Sequence, residues 1–255
     1  MNAAAMFSLT NRVALVTGAS RGLGRAMAVG LAQAGADVIC HSSRAGGADN
    51  TVAEIRALGR EAWAVAADLS HRDAALTLAD EAGAIHNRIE ILVNNAGTIR
   101  RRAAAEHSLD DWDVVMRTNL DSAFALAQRI GAGMIERGHG KIINIASLLS
   151  FQGGVTVPAY TASKHAIAGV TKALANEWAS RGVQVNAIAP GYFETDNTQA
   201  LRDDSARAAS ILSRIPAGRW GEAHDLVGAL VFLSSSASDY VNGHVLVVDG
   251  GWLAR

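Results

Sequence analysis

The sequence predicts an α/β fold: one doubly wound parallel sheet of about seven strands with helices on both faces. Three observations predict it. Short apolar segments rich in β-branched residues alternate along the whole chain with longer segments of helical spacing. The short segments lack the polar alternation of a half-solvated sheet, so both of their faces must be covered. A glycine turn, Gly18-x-x-x-Gly22-x-Gly24, joins the first strand to the first helix. Together these make the sheet Rossmann-type, with ligands expected at the carboxyl ends of its strands.

The elements follow in order. R-V-A-L-V-T at 12–17 is a strand, and the helix after the glycine turn stops at Gly35. The next strand covers 36–41, and a helix over 48–58 ends at Gly59. A strand over 61–67, a helix over 72–86 and a strand over 89–93 repeat the unit. One long helical stretch runs from about 108 to 137, then a strand covers 141–146. Pro158 can open a helix, since its missing N–H would have no partner there, and that helix extends to 180. A strand over 183–189 leads to a polar, irregular stretch at 191–215. A helix over 223–234 and a strand over 244–248 complete the chain. No linker or repeat interrupts this order, so residues 1–255 read as a single domain, with 191–215 as a lid over its site.

Composition narrows the function. The chain has 255 residues, 49% hydrophobic and 18% charged with three prolines, which describes a compact domain and not a disordered one. A formal net charge of −1 and the lack of any basic run beyond R-R-R at 100–102 argue against nucleic acid. The longest apolar runs are too short for a membrane span, and the N-terminus has neither the charged nor the apolar part of a secretory signal. A single cysteine, Cys40, excludes an internal disulfide and reads as core. The eight histidines show no paired-ligand spacing, so no metal is expected. These features fit a cytoplasmic protein.

Tyr160 and Lys164 are four apart, on one face of one helix. An ammonium beside a phenol favours phenolate, so the phenol pKa is expected to fall and Tyr160 to serve as a proton donor and acceptor. The bland reading of such a pair is a half-buried tyrosine beside a solvated lysine. Ser147, just past a strand end, could hydrogen-bond a substrate oxygen. At the first strand end, Gly18, Gly22 and Gly24 allow a tight turn, and the helix N-terminus behind them faces an anion. Asp68 could accept a hydrogen bond from an adenine amino group, or merely cap a helix, as Ser70 also could. N-N-A-G at 94–97 suits a loop pressed against a ligand. Asn119 is a poor helix former within a helical run, placed to hold a water or bend the helix. P-G-Y-F-E-T at 190–195 follows a strand, with Thr195 as a possible cap.

Taken in order, T-G-A-S-R-G-L-G at 17–24, N-N-A-G at 94–97, Asn119, Ser147, Tyr160 with Lys164, and P-G at 190–191 resemble the short-chain dehydrogenase/reductase family. Within it, I-R-R at 99–101, F-Q-G-G at 151–154, R-I-P-A-G-R-W-G at 214–221 and the ending V-D-G-G-W-L-A-R are similar to the 2-deoxy-D-gluconate 3-dehydrogenase group, also described as 2-dehydro-3-deoxy-D-gluconate 5-dehydrogenases. The resemblance implies an oxidoreductase that interconverts a secondary alcohol and a ketone on a C6 sugar acid. Tyr160 would be the acid/base, Lys164 would tune it and hold the nicotinamide ribose, Ser147 would orient the substrate, and Asn119 would bind a water in a proton relay. Cofactor contacts would come from Gly18, Ser20, Arg21, Gly22, Leu23, Gly24, Ser42, Asp68, Leu69, Asn95, Ala96, Gly97, Tyr160, Lys164, Pro190, Gly191 and Thr195. Ser42 stands where strictly NAD-using relatives carry an acid, and Arg21 and Arg44 could pair with a 2′-phosphate, so NAD and NADP are both expected.

A sugar acid needs a cation, and Arg101, after the N-N-A-G loop, could clamp a carboxylate bidentately. Substrate contacts are expected from Arg101, Ser147 and Tyr160, and the resemblance implies Gln152, Tyr192 and Trp220 as further residues of the pocket. Two other activities fit the same fold: reduction of a 3-oxoacyl thioester and oxidation of a glucose-type sugar. A cofactor-sensing regulator without turnover is the reading of another class, and the intact Ser147, Tyr160 and Lys164 set argues against it. The family's habit is a homotetramer, and the C-terminal G-W-L-A-R is expected to reach a neighbouring subunit.

Overall fold

A computed structural model describes residues 2–255, apart from the side chain of Asn197. Seven parallel strands form one sheet in the order β3-β2-β1-β4-β5-β6-β7. They are β1 (Val13–Val16), β2 (Asp37–Ser42), β3 (Ala62–Ala66), β4 (Ile91–Asn94), β5 (Gly140–Ile145), β6 (Val183–Pro190) and β7 (Val245–Val248). The order reverses between β1 and β4, the place where such sheets open a crevice for ligands.

The strands read as unbroken apolar runs because successive side chains enter two different cores. In β1, Ala14 and Val16 face one core with Met27, Leu31, Val38, Cys40 and Leu230. Val13 and Leu15 face the other with Ile39, Leu78, Leu92, Leu126 and Leu174. Residues from α1 (Gly22–Gln33), α2 (Asp49–Ala57) and α9 (Val227–Ser234) supply the first layer, and residues from α3 (Ala74–Ile85), α5 (Ser122–Arg137) and α6 (Pro158–Trp178) the second. Leu15 and Leu92 are fully buried, each stabilising the fold by roughly 1.5–3 kcal/mol relative to exposure. Cys40 lies in the first core, and burial pushes its thiol up to about 12, so it is packing and not a nucleophile.

Two predicted segments differ. The long helix predicted over 108–137 is α4 (Leu109–Met116) and α5, joined by a π turn at Arg117–Asp121 that contains Asn119. The stretch predicted as irregular at 191–215 folds into α7 (Asp196–Arg202) and α8 (Ser205–Leu212). Thr195 and Thr198 form a reciprocal cap on α7, and the Asp204 carboxylate accepts from Arg207 N at 3.0 Å to start α8. Caps mark where these helices begin, and Ile211 of α8 and Leu201 of α7 pack into an apolar cluster. Among the described residues no helix is long and apolar enough to cross a membrane.

Candidate active site

The glycine turn between β1 and α1 is set by close approach. Gly18 has φ +67°, and a Cβ on Gly24 would fall 2.0 Å from the Gly18 carbonyl oxygen. Asn95 closes the turn from the side. Its amide donates to the carbonyls of Thr17 at 2.8 Å and Gly18 at 3.2 Å. The Thr17 hydroxyl accepts from the N–H groups of Asn95 and Ala96, both at 2.9 Å. The loop at 94–97 thus braces the turn as well as facing the crevice.

Between them lies a cavity of about 500 Å³. Of the predicted cofactor residues, Gly18, Ser20, Arg21, Gly22, Leu23, Gly24, Asp68, Leu69, Asn95, Ala96, Gly97 and Thr195 line it. The residues fit a dinucleotide. Arg21 stands at the N-cap of α1 without a side-chain cap, so the first-turn N–H groups carry none of the usual intramolecular partners. Asp68 accepts from Ser70 N at 3.0 Å and from its hydroxyl at 2.8 Å, and these bonds hold its carboxyl below the usual carboxylate range. Arg21 pairs with Asp196 at 2.9 Å, bridging the glycine turn and the first residue of α7. Ser42 requires correction. It is buried, it lies outside the cavity lining, and its hydroxyl donates to Arg44 O at 2.8 Å. The next residue, Ser43, lines the cavity instead. Pro190 and Gly191, at the end of β6, also lie outside that lining, and a Cβ on Gly191 would meet Asp249 at 2.6 Å.

The proton-handling groups lie beyond this cavity, where β5 and α6 meet. Pro158 occupies the first turn of α6, as predicted. The Ser147 hydroxyl and the Arg101 charge both act on the Tyr160 phenol, each favouring its ionised form. Lys164 is 4% exposed, with Nζ 5.6 Å from the centre of the Tyr160 ring. The expected fall in the phenol pKa is overturned for this state. Burial pushes the Tyr160 phenol above its usual value, against the opposing pull of Ser147 and Arg101. The physical reason is burial, which disfavours the phenolate, while the Lys164 Nζ donates to the Ile145 carbonyl at 2.5 Å. Burial lowers Lys164 itself to about 8. Asn119 is buried, accepting from Thr98 N at 2.8 Å and donating to Thr98 O at 3.0 Å and to Ser163 Oγ at 3.2 Å. Its amide therefore pins the 94–98 loop to the helix of Tyr160, and the bend it was expected to cause is the π turn.

Aromatic residues build the far wall. Tyr192 packs 4.7 Å from Trp252 and 5.5 Å, edge-on, from Trp220. The Trp252 indole N–H donates to Gln152 Oε1 at 3.4 Å, and the Arg214 guanidinium stacks 4.0 Å over its ring. Trp252 is 4% exposed within its own chain, in a cluster with Leu148, Ile211 and Ile215. Trp252 thus packs against α8 of its own chain, through Ile211. Arg100 lines the dinucleotide cavity and pairs with Asp111 at 3.3 Å.

Comparison with known proteins decides the family. The profile of short chain dehydrogenases matches residues 12–206. The chain belongs to the short-chain dehydrogenase family. It is 56% identical over 250 residues to the 2-dehydro-3-deoxy-D-gluconate 5-dehydrogenase of Pseudoalteromonas atlantica, covering 98% of each chain. It is 55% identical to the protein of that name from Escherichia coli, again covering 98% of each. A solved structure, a gluconate 5-dehydrogenase from Burkholderia cenocepacia in complex with NADP and tartrate, superposes with a TM-score of 0.95 at 42% identity, covering 100% of both chains.

As a short-chain dehydrogenase the chain is an NAD(P)-dependent oxidoreductase. Several residues of its crevice escaped the sequence reading: His41, Ser43, Ala67 and Thr98 all line the cavity. A signal for His41 was present, since it is a polar residue inside the apolar run that ends β2 beside the glycine turn. Arg214 and Trp252 had none, because nothing in their spacing brings residues 38 apart into a stack.

Proposed function

We propose that this dehydrogenase interconverts a secondary alcohol and a ketone on a C6 sugar acid of the 2-deoxy-D-gluconate or 2-dehydro-3-deoxy-D-gluconate type. The observation that carries the reading is one phenol, Tyr160, on which the Ser147 hydroxyl and the Arg101 charge both act, with the Lys164 ammonium 5.6 Å from the centre of its ring. The bound nicotinamide dinucleotide supplies the hydride acceptor or donor at a carbon. Every other task falls to the chain. Ser147 holds the substrate oxygen. Tyr160 gives its proton to that oxygen during ketone reduction and removes it during alcohol oxidation. The charges of Lys164 and Arg101 stabilise the phenolate that reduction leaves, in a site where low polarity strengthens them. Asn119 holds the 94–98 loop against α6. Arg101 binds the substrate carboxylate, with Gln152 and Tyr192 as further contacts; a dicarboxylate, tartrate, in the gluconate 5-dehydrogenase complex supports an anionic polyol.

Both cofactors suit the crevice. The last residue of β2 is Ser42, followed by Ser43 and Arg44, with no carboxylate to repel a 2′-phosphate. The segment 191–215 acts as a lid, supported by the Arg21–Asp196 bridge to the glycine turn. The oligomer is a homotetramer, supported by the half-exposed edge strand β7 and by Phe124, 42% exposed on α5. Sedimentation should return the mass of four chains. The setting is the cytoplasm, supported by a single buried cysteine and checked by cell fractionation.

The test is a panel of 2-deoxy-D-gluconate, 2-dehydro-3-deoxy-D-gluconate, glucose and an acetoacetyl thioester, each with NAD(H) and NADP(H). Turnover is expected on the sugar acids. In Arg101→Ala, KM for them should rise at least about tenfold, the cost of one lost charge-assisted pair. An equal rise for glucose would remove Arg101 from the site, and turnover confined to the thioester would replace the substrate class.

A further inference from the structure

One buried side chain joins the two walls of the dinucleotide cavity. His41 is 2% exposed and sits one residue before the end of β2. The N–H of Gly18 donates to its Nδ1 at 3.1 Å. Its Nε2 lies 2.9 Å from the Ala67 carbonyl oxygen. An amide N–H only donates and a carbonyl only accepts, so Nδ1 must be bare and Nε2 must carry hydrogen. A single neutral tautomer meets both demands. Burial holds the imidazole below its usual basicity, in keeping with that form. The backbone of the same residue holds the next amide of the turn, Ala19 N donating to the His41 carbonyl at 2.7 Å. Gly18, His41 and Ala67 all line the cavity, and Ala67 immediately precedes Asp68.

We propose that His41 is a positioning residue for the dinucleotide: its Nδ1 fixes Gly18 at the start of the phosphate turn, and its Nε2–H fixes Ala67 on the facing wall. This rests on the oxidoreductase reading above. Without Nδ1, a part-buried N–H loses its acceptor at a glycine already in the left-handed region. The turn that aims the α1 amides then loosens, and the anion site becomes less preorganised.

The experiment measures NADPH and NADH dissociation constants by calorimetry for the native chain and for His41→Leu, His41→Asn and His41→Gln, with urea midpoints alongside. Asparagine keeps an acceptor near the Nδ1 position, whereas glutamine keeps a donor near the Nε2 position. His41→Leu should weaken binding about tenfold or more. His41→Asn should recover most of that loss, and His41→Gln should remain weak. Native-like affinity in His41→Leu would overturn the proposal. So would equal losses in all three variants that track their urea midpoints, because His41 would then be core filling only. If His41→Leu does not fold, the contrast between Asn and Gln still decides. A native chain that binds neither nucleotide would instead overturn the oxidoreductase reading.

Discussion

Two lysine ammonium groups are buried in this molecule, at opposite ends of the sheet, and they are treated differently. Lys141, the second residue of β5, is fully buried, and its Nζ meets Asp239 at 2.7 Å and Ser238 Oγ at 3.3 Å. Burial lowers its basicity and Asp239 pulls it back. Lys164, beside the far end of β5, donates to the carbonyl of Ile145, and burial takes it to about 8. The first charge is balanced by an anion and serves the fold. The second is left without a carboxylate, so its field is available to a phenolate or a ligand.

That contrast can be broken by experiment. The largest effect is expected from Lys164→Met, with kcat falling at least about a hundredfold, whereas Lys141→Met should keep native kcat. Loss of turnover in both would mean that the two charges do not differ in role. Stability should separate them next. The folded pKa of Lys164 is about 8 against an ordinary 10.5, so between these values the folded chain binds fewer protons than the unfolded one. Stability therefore rises with pH across that window, and below it the ammonium costs on the order of 3 kcal/mol. In Lys164→Met the rise should vanish between urea midpoints at pH 8 and pH 10; an unchanged slope would contradict the assignment. The smallest effect is expected from Asp239→Asn. Its side chain is 61% exposed, so water replaces part of the lost partner. A destabilisation of about 1–2 kcal/mol with native kcat is predicted. A larger loss would make Lys141 as dependent on its anion as a fully sealed pair.

The same contrast marks what the sequence makes legible. The strands and their helices follow from alternation of apolar segments, and the glycine turn, the 94–97 loop and the Tyr160–Lys164 pair follow from strand ends and helical spacing. Spacing places Lys164 under Tyr160, yet it says nothing of how far the fold desolvates the phenol, and so the sign of the phenol shift was missed. Strand-end placement did the same to Ser42: it is the last residue of β2 and buried, and Ser43, just past the strand, took the cavity. Helices α7 and α8 were hidden because they lie in a polar stretch and their starts rest on caps at Thr195 and Asp204. Trp252 was hidden because its partners, Gln152 and Arg214, meet it only in the folded chain.

The measurement closest to the central claim is single-turnover reduction of 2-dehydro-3-deoxy-D-gluconate by saturating NADPH or NADH in Tyr160→Phe, beside calorimetric binding of the same cofactor. The phenol is proposed to deliver the proton, so the rate should fall about a thousandfold while cofactor affinity stays within about threefold. A variant that reduces the substrate at the native rate would contradict the account.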